Sequence, residues 1–146
     1  MNISELHDNA IQAIVKELFT FPGSQVAPGM FRETWVTYTN VPKRQMPVDH
    51  QFLGEIYPDI VIADTAKCNL PRLIAEVETE DTLTLEKAIQ AKWSPDTTVC
   101  GIFYLFVPEG CARKAAAMIL NYKICFPTAL FTYAFDKGEQ LRLTPV

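Results

Sequence analysis

The apolar run Gly101–Val107 (GIFYLFV) constrains the fold more than any other segment of the chain. A strand with one solvated face alternates apolar and polar residues, whereas a strand covered on both faces is apolar throughout. The run is also far shorter than the about 20 apolar residues that a membrane-spanning helix requires. It therefore predicts a central strand that is buried on both faces of a sheet.

The segments around this strand predict an α/β domain built on a mixed sheet. Apolar residues at helical spacing follow Ser4 and Asp81, which are the two expected N-caps. Strand 72–79, helix 82–93 and strand 101–107 predict one right-handed βαβ crossover. In chain order, the predicted elements are helix 4–19, strands 34–40, 57–64 and 72–79, helix 82–93, strand 101–107, helix 111–122, and strands 129–135 and 141–144.

Proline and glycine mark the predicted connections between these elements. Residues 24–33 and 41–55 are expected to be irregular, and Ser94-Pro95-Asp96 is expected to end the helix that precedes it. No repeat or linker divides the chain, so we expect residues 1–146 to form a single domain.

The composition argues against several classes of protein. Of the 146 residues, 49% are hydrophobic and 21% are charged, which is the opposite of the balance in a disordered chain. The net charge of −4 is unlike that of proteins that wrap duplex DNA, so any contact with nucleic acid has to be local. The charges on Glu5, Asp8 and Lys16 are unlike a signal peptide, so we expect a cytoplasmic protein.

The cysteines and histidines do not form a recognisable metal-binding motif. None of the four cysteines, at positions 68, 100, 111 and 125, has CxxC spacing. Cys100 and Cys125 lie in apolar surroundings and are expected to be reduced residues of the core. His7 and His50 have no Cys or His at ligand spacing, so they do not indicate a zinc site.

Acidic residues are concentrated at the end of the second predicted hairpin strand. Side chains alternate along a strand, so Glu76 and Glu78 point to the same face. A turn centred at residues 67 and 68 places Asp59 opposite Glu76 and Tyr57 opposite Glu78. Carboxylates that face each other either retain a proton or bind a cation. The three acids therefore predict a site for a hard divalent cation, against the alternative of a solvated acidic face.

The dipeptide Pro58-Asp59, followed by Glu76-Val77-Glu78, a helix and an apolar strand, resembles the PD-(D/E)XK nuclease superfamily. The restriction-endonuclease-like core of that superfamily runs helix, three strands, helix, strand, in the order predicted here. The resemblance covers residues 4 to about 122, and two strands follow it. It implies a Mg²⁺- or Mn²⁺-dependent phosphodiesterase, with Asp59, Glu76 and Glu78 around the metal.

The sequence departs from the superfamily pattern at its third position, where Glu78 stands in place of the usual lysine. In other branches a lysine of the following helix takes that role, and Lys87 and Lys92 are the candidates, with Lys87 preferred. Gln90 resembles the glutamine that many members place beside the metal, and Glu17 is a further possible ligand. The alternative for Lys87 and Gln90 is an ordinary exposed helix face, and the alternative for Glu17 is a solvated glutamate.

Two functions from different classes remain open on the sequence. The first is a nuclease that acts on DNA or RNA, in which Lys43 and Arg44 steer the substrate backbone or merely solubilise their loop. The second is a catalytically inactive descendant that serves as a binding or regulatory subunit. A homodimer formed through an exposed sheet edge, or a complex with a partner chain, is compatible with both functions.

Overall fold

The computed structural model describes residues 2–21, 33–124 and 126–146, and it confirms an α/β architecture with a mixed sheet. The helices are α1 (Ile3–Leu18), a π-helical segment (Leu85–Trp93) that continues directly into α2 (Ser94–Val99), and α3 (Ala112–Asn121). The strands are β1 (Trp35–Thr39), β2 (Val48–His50), β3 (Gly54–Ile56), β4 (Ile60–Asp64), β5 (Leu70–Val77), β6 (Phe103–Pro108), β7 (Ala129–Phe135) and β8 (Leu141–Pro145). We call the π-helical segment and α2 together the 85–99 helix.

Six of the strands form one sheet in the order β1-β4-β5-β6-β7-β8. The pairs β1–β4, β4–β5 and β7–β8 are antiparallel, whereas β5–β6 and β6–β7 are parallel. The strands β5, β6 and β7 therefore end on the same side of the sheet. The strand β4 begins on that side, because it runs antiparallel to β5.

Both faces of the central strands are buried, as the apolar run predicts. On one face, Leu73 and Val77 of β5 pack in a cluster with Ile11 and Ile14 of α1. On the other face, Ile74 and Leu105 pack in a cluster with apolar residues of the 85–99 helix and α3. These residues are Ala88, Ile89, Trp93, Ala115 and Ile119.

The predicted register of the hairpin is confirmed at the end that carries the acidic residues. Ile60 pairs with Ala75 and Val61 with Ile74, which continues to Asp59 opposite Glu76. The register shifts by one residue beyond Ile62, nearer the turn. Because the shift lies on the turn side of Ile62, it does not change the predicted register of Ile60 and Val61, which lead to Asp59.

Three predicted features of the helices are wrong. Asn2, rather than Ser4, caps α1, because its side chain accepts a hydrogen bond from the backbone N–H of Glu5 at 2.8 Å. The second helix begins at Leu85 with Thr84 as its cap, and not after Asp81. That helix also passes through Pro95, because proline is tolerated in the first turn of a helical segment, here α2.

The predicted irregular connection 41–55 contains a small hairpin, which is a further correction. β2 and β3 pair in an antiparallel register from Val48–Ile56 to His50–Gly54. The ring nitrogen Nδ1 of His50 accepts hydrogen bonds from the backbone N–H groups of Phe52 and Leu53, both at 3.1 Å. This side chain closes the turn, and a local hydrogen bond of this kind leaves no alternating pattern in the sequence.

Two of the predictions lie wholly or largely outside the described residues: the buried state of Cys125 and most of the loop 24–33. The described Cys100 is a half-buried free thiol. No helix in residues 2–21, 33–124 and 126–146 is long and apolar enough to cross a membrane.

Candidate functional site

Four acidic side chains are buried together where β4 begins and β5 ends. Asp59, Glu76, Glu78 and Asp96 form what we call the carboxylate cluster, and none is more than 4% exposed. The backbone N–H of Asp59 donates to Oε1 of Glu76 at 3.1 Å. The carboxylate of Asp59 accepts a hydrogen bond from the backbone N–H of Val77 at 2.9 Å. The sheet register therefore fixes Asp59 and Glu76 relative to each other.

Glu78 is completely buried and lies under the 85–99 helix. Its carboxylate accepts hydrogen bonds from the hydroxyl of Thr82 at 2.6 Å and from the indole N–H of Trp93 at 3.4 Å. Its backbone carbonyl accepts a hydrogen bond from the hydroxyl of Tyr133 at 2.5 Å. Burial raises the pKa of Glu78, although the charge of Lys92 and the Thr82 hydroxyl oppose this shift.

Asp96 enters the cluster from α2 and was not predicted as a site residue. Burial raises its pKa to about 7, against the opposing effects of a hydrogen bond with Glu76 and the charge of Lys92. Burial, followed by the charges of Asp96 and Asp59, raises the pKa of Glu76 well above its ordinary value. Glu76 and Asp96 therefore form a carboxyl–carboxylate pair that retains a proton. The second oxygen of Asp96, Oδ2, has no hydrogen-bond partner in the part of the chain that the structure describes.

His7 of α1 also reaches this site, from the opposite face of the sheet. Its Nε2 lies 2.8 Å from the backbone carbonyl of Val77 and 3.2 Å from the carboxylate of Asp59. Burial lowers the pKa of His7, but the hydrogen bond and the charge of Asp59 raise it overall. In return, burial raises the pKa of Asp59, but the His7 hydrogen bond, the charges of Lys92 and His7 and the backbone N–H of Val77 together lower it. His7 thus holds Asp59 in its ionised form.

Lys92 is the lysine that the structure brings to the cluster, not the preferred Lys87. Its Nζ lies 3.3 Å from Oε1 of Glu78, and its side chain is 28% exposed. Burial lowers the pKa of Lys92, but the charges of Glu78, Glu76 and Asp59 outweigh burial and raise it. The cation of Lys92 therefore lies at the boundary between the buried acids and the solvent.

The other predicted site residues lie away from the cluster. Lys87 is exposed in the first turn of the helix, where its Nζ lies 3.4 Å from the backbone carbonyl of Asp81. The helix begins three residues later than predicted, so Lys87 lies about one turn nearer to the amino end of the helix than expected. Gln90 is exposed and lines a cavity of about 560 Å³ beside the β2–β3 hairpin. Glu17 lines a separate surface cavity with Glu139 and Gln140.

Periodic patterns in the sequence carry the signals for the two residues that were missed. His7 lies at helical spacing with Ala10, Ile11 and Ile14, which are the buried residues of α1. Asp96 lies three residues after Trp93, on the continuation of the buried face of the 85–99 helix. Extending the helical pattern through Pro95 identifies Asp96 as a buried acid.

The chemistry of the cluster fits a hard divalent cation. Carboxylate oxygens are the ligands that Mg²⁺ and Mn²⁺ prefer, and the cations that lie against the four carboxyl groups, among the described residues, are Lys92 and His7. Oδ2 of Asp96, which has no hydrogen-bond partner among the described residues, adds a further oxygen that is available to ligate a metal ion. Within the described ranges, however, no three His, Cys, Asp or Glu side chains are already arranged to hold a metal ion. Binding therefore requires the Glu76–Asp96 pair to give up its proton and separate.

The raised pKa of Asp96 predicts that stability falls as the pH rises from about 4 to about 7. In this range the folded protein retains the Asp96 proton, whereas the unfolded chain releases it near 3.8. The folded state then binds more protons, so the free energy of unfolding falls by up to about 1.4 kcal/mol per pH unit from this group. Glu76 contributes with the same sign. Urea denaturation across this range measures the slope.

Two variants test the origin of that slope. Asp96→Asn is expected to reduce the slope, because an amide does not titrate and only the contribution of Glu76 remains, whereas the exposed Asp49→Asn is expected to leave it unchanged. A wild-type stability that increases over this pH range contradicts the assignment.

Comparisons with protein-family models, with curated proteins and with solved structures give no match to this chain.

Proposed function

We propose that this protein is a metal-dependent phosphodiesterase that acts on nucleic acid. The observation that carries the proposal is the carboxylate cluster, in which four buried acids lie together with Lys92 at the solvent boundary and with His7, which comes from the opposite face of the sheet. Burying like charges together is costly, and such an arrangement is typical of a site that handles a cation and protons. Asp59, Glu76 and Glu78 are the proposed metal ligands, with Mg²⁺ or Mn²⁺ as the metal.

The topology supports a restriction-endonuclease-like core. Apart from the β2–β3 hairpin, the chain runs from its start as helix, three strands, helix and strand, which are α1, β1, β4, β5, the 85–99 helix and β6. The three strands are antiparallel neighbours, and β6 is added parallel to β5. In this view the β2–β3 hairpin is an insertion between the first and second core strands, and α3, β7 and β8 are an extension.

The residues of the site take distinct roles in the proposed reaction. Asp59, Glu76 and Glu78 would hold a divalent cation, which would lower the pKa of a bound water and neutralise charge on a phosphate. Lys92 stays protonated, so it stabilises negative charge on the phosphate rather than removing a proton. Glu78, whose pKa is raised, is suited to accept a proton from the attacking water. His7 keeps Asp59 ionised and oriented.

Two observations favour a second function. Glu78 is completely buried, and no metal-binding group is preformed among the described residues. Both features suit an inactive descendant that retains the cluster as a structural element and serves as a binding or regulatory subunit. β1 and β8 are the two outer strands of the sheet, so either offers an edge for a homodimer or for a partner chain.

A cleavage assay separates the two functions. The purified protein is incubated with labelled single-stranded and duplex DNA and RNA, in Mg²⁺, in Mn²⁺ and in EDTA. We expect cleavage of at least one substrate in Mg²⁺ or Mn²⁺, and none in EDTA. Absence of cleavage with every substrate and both metals contradicts the enzyme and favours the binding subunit.

A further inference from the structure

Arg44 is an exposed cation that is held in a fixed orientation. Its guanidinium carbon lies 4.1 Å from the centroid of the Tyr57 ring. Among the described residues, Arg44 forms no ion pair with a carboxylate, in contrast to Arg142, which pairs with Glu109 at 2.6 Å. An aromatic ring fixes the plane of a guanidinium but does not neutralise its charge. The N–H groups at the edge of Arg44 therefore remain available to a ligand.

The loop that carries Arg44 is fixed by the buried side chain of Asn40. Oδ1 of Asn40 accepts hydrogen bonds from the backbone N–H groups of Gln45 and Met46, both at 2.8 Å. Its Nδ2 donates to the carbonyls of Met46 at 2.8 Å and Pro58 at 2.7 Å. All the usual hydrogen bonds of this amide are made, so residues 40–46 are held firmly against Pro58.

These contacts attach the loop that carries Arg44 to the segment that leads into Asp59. Pro58 directly precedes Asp59, and the backbone N–H of Asn40 donates to the carbonyl of Asp59 at 3.1 Å. Tyr57, on which Arg44 stacks, is two residues from Asp59 and precedes the start of β4. The loop and the ring are thus both attached to the short segment that carries the first proposed metal ligand.

We propose that Arg44 binds a backbone phosphate of the nucleic-acid strand that the carboxylate cluster acts on. The inference rests on the proposed function for its class of ligand. A planar guanidinium matches a phosphate with two parallel N–H···O bonds, and orientation before binding reduces the entropy lost. The chain has a net charge of −4, so a strand that approaches the acids needs a local cation. Arg44, with the exposed Lys43 next to it, supplies that charge.

The test measures binding without cleavage. Fluorescence anisotropy of a labelled single-stranded oligonucleotide is recorded in EDTA, at a series of salt concentrations. Arg44→Ala is expected to weaken binding about tenfold and to reduce the slope of log K against log salt by about 0.7, which is one phosphate contact. Arg44→Lys is expected to keep the slope but lose part of the affinity, and Tyr57→Leu to resemble Arg44→Lys. Arg142→Ala is the matched control and is expected to bind like the wild type.

The outcomes distinguish this inference from the proposed function. An affinity and a slope that are unchanged in Arg44→Ala, or equally changed in Arg142→Ala, overturn the role of Arg44, and so does a wild type that does not bind. Cleavage in Mg²⁺ together with an unchanged Arg44→Ala affinity keeps the enzyme and removes Arg44. Weakened Arg44→Ala binding without cleavage by the wild type keeps the phosphate contact and removes the enzyme.

Discussion

Glu76→Gln is expected to lower metal-dependent cleavage by about a hundredfold or more while leaving the fold intact. Glutamine has the shape of the protonated Glu76 that the structure favours. Its amide N–H can donate to Asp96, and its carbonyl can accept from the backbone N–H of Asp59, as Glu76 does at 3.1 Å. What the variant loses is the charge that the proposed metal requires.

The stability of this variant separates the catalytic role of Glu76 from a structural one. At neutral pH the melting temperature of Glu76→Gln without metal is expected to equal or exceed that of the wild type, because glutamine keeps the hydrogen bonds of protonated Glu76 without the free-energy cost of protonating a carboxyl on folding. Glu17→Gln is the matched control, since Glu17 lies in a different surface cavity, and it is expected to retain cleavage and stability. A Glu76→Gln protein that cleaves normally, or that melts well below the wild type, contradicts the account.

Lys92→Met is expected to destabilise the fold by about 3 kcal/mol, the largest stability effect of any substitution considered for this site. The variant leaves Glu78, which is completely buried, without the cation that lies 3.3 Å away. Methionine keeps the length and the apolar stem of the side chain, so the loss comes mainly from the charge. Urea denaturation at neutral pH measures it.

A double-mutant cycle identifies the cause of that loss. Adding Glu78→Gln to Lys92→Met is expected to restore much of the stability, because no charge is then left buried without a partner. The control Lys87→Met removes an exposed lysine in the same helix and is expected to change stability by less than about 0.5 kcal/mol. Equal effects of Lys92→Met and Lys87→Met, or the absence of any rescue, contradict the proposed pairing.

The elements that sequence reasoning located well are those whose pattern depends on burial. The apolar run at β6, the periodicity of α1 and α3, and the alternation around Glu76 all follow from which side of an element faces the core. The pairing of Asp59 with Glu76 was predictable from the position of the turn at residues 67 and 68, and the pairs Ile60–Ala75 and Val61–Ile74 confirm that register.

The features that sequence reasoning missed depend on interactions that leave no periodic signal. Pro95 normally ends a helix, but here it lies where a π-helical segment passes into α2, and Asp96 is buried as a result. Lys92 could not be chosen over Lys87 without the start of the helix at Leu85. His7 was considered only as a zinc ligand, whereas its partners come from residues far along the chain.

Titration of Mg²⁺ and Mn²⁺ into the purified protein, followed by calorimetry, measures whether the carboxylate cluster binds a divalent cation. The account predicts saturable binding of one of these ions to the wild type, with release of a proton as the Glu76–Asp96 pair separates. It also predicts unchanged binding in Glu17→Gln and loss of binding in Glu76→Gln. Absence of binding to the wild type, or equal binding to Glu76→Gln, contradicts the claim that the carboxylate cluster is a metal site.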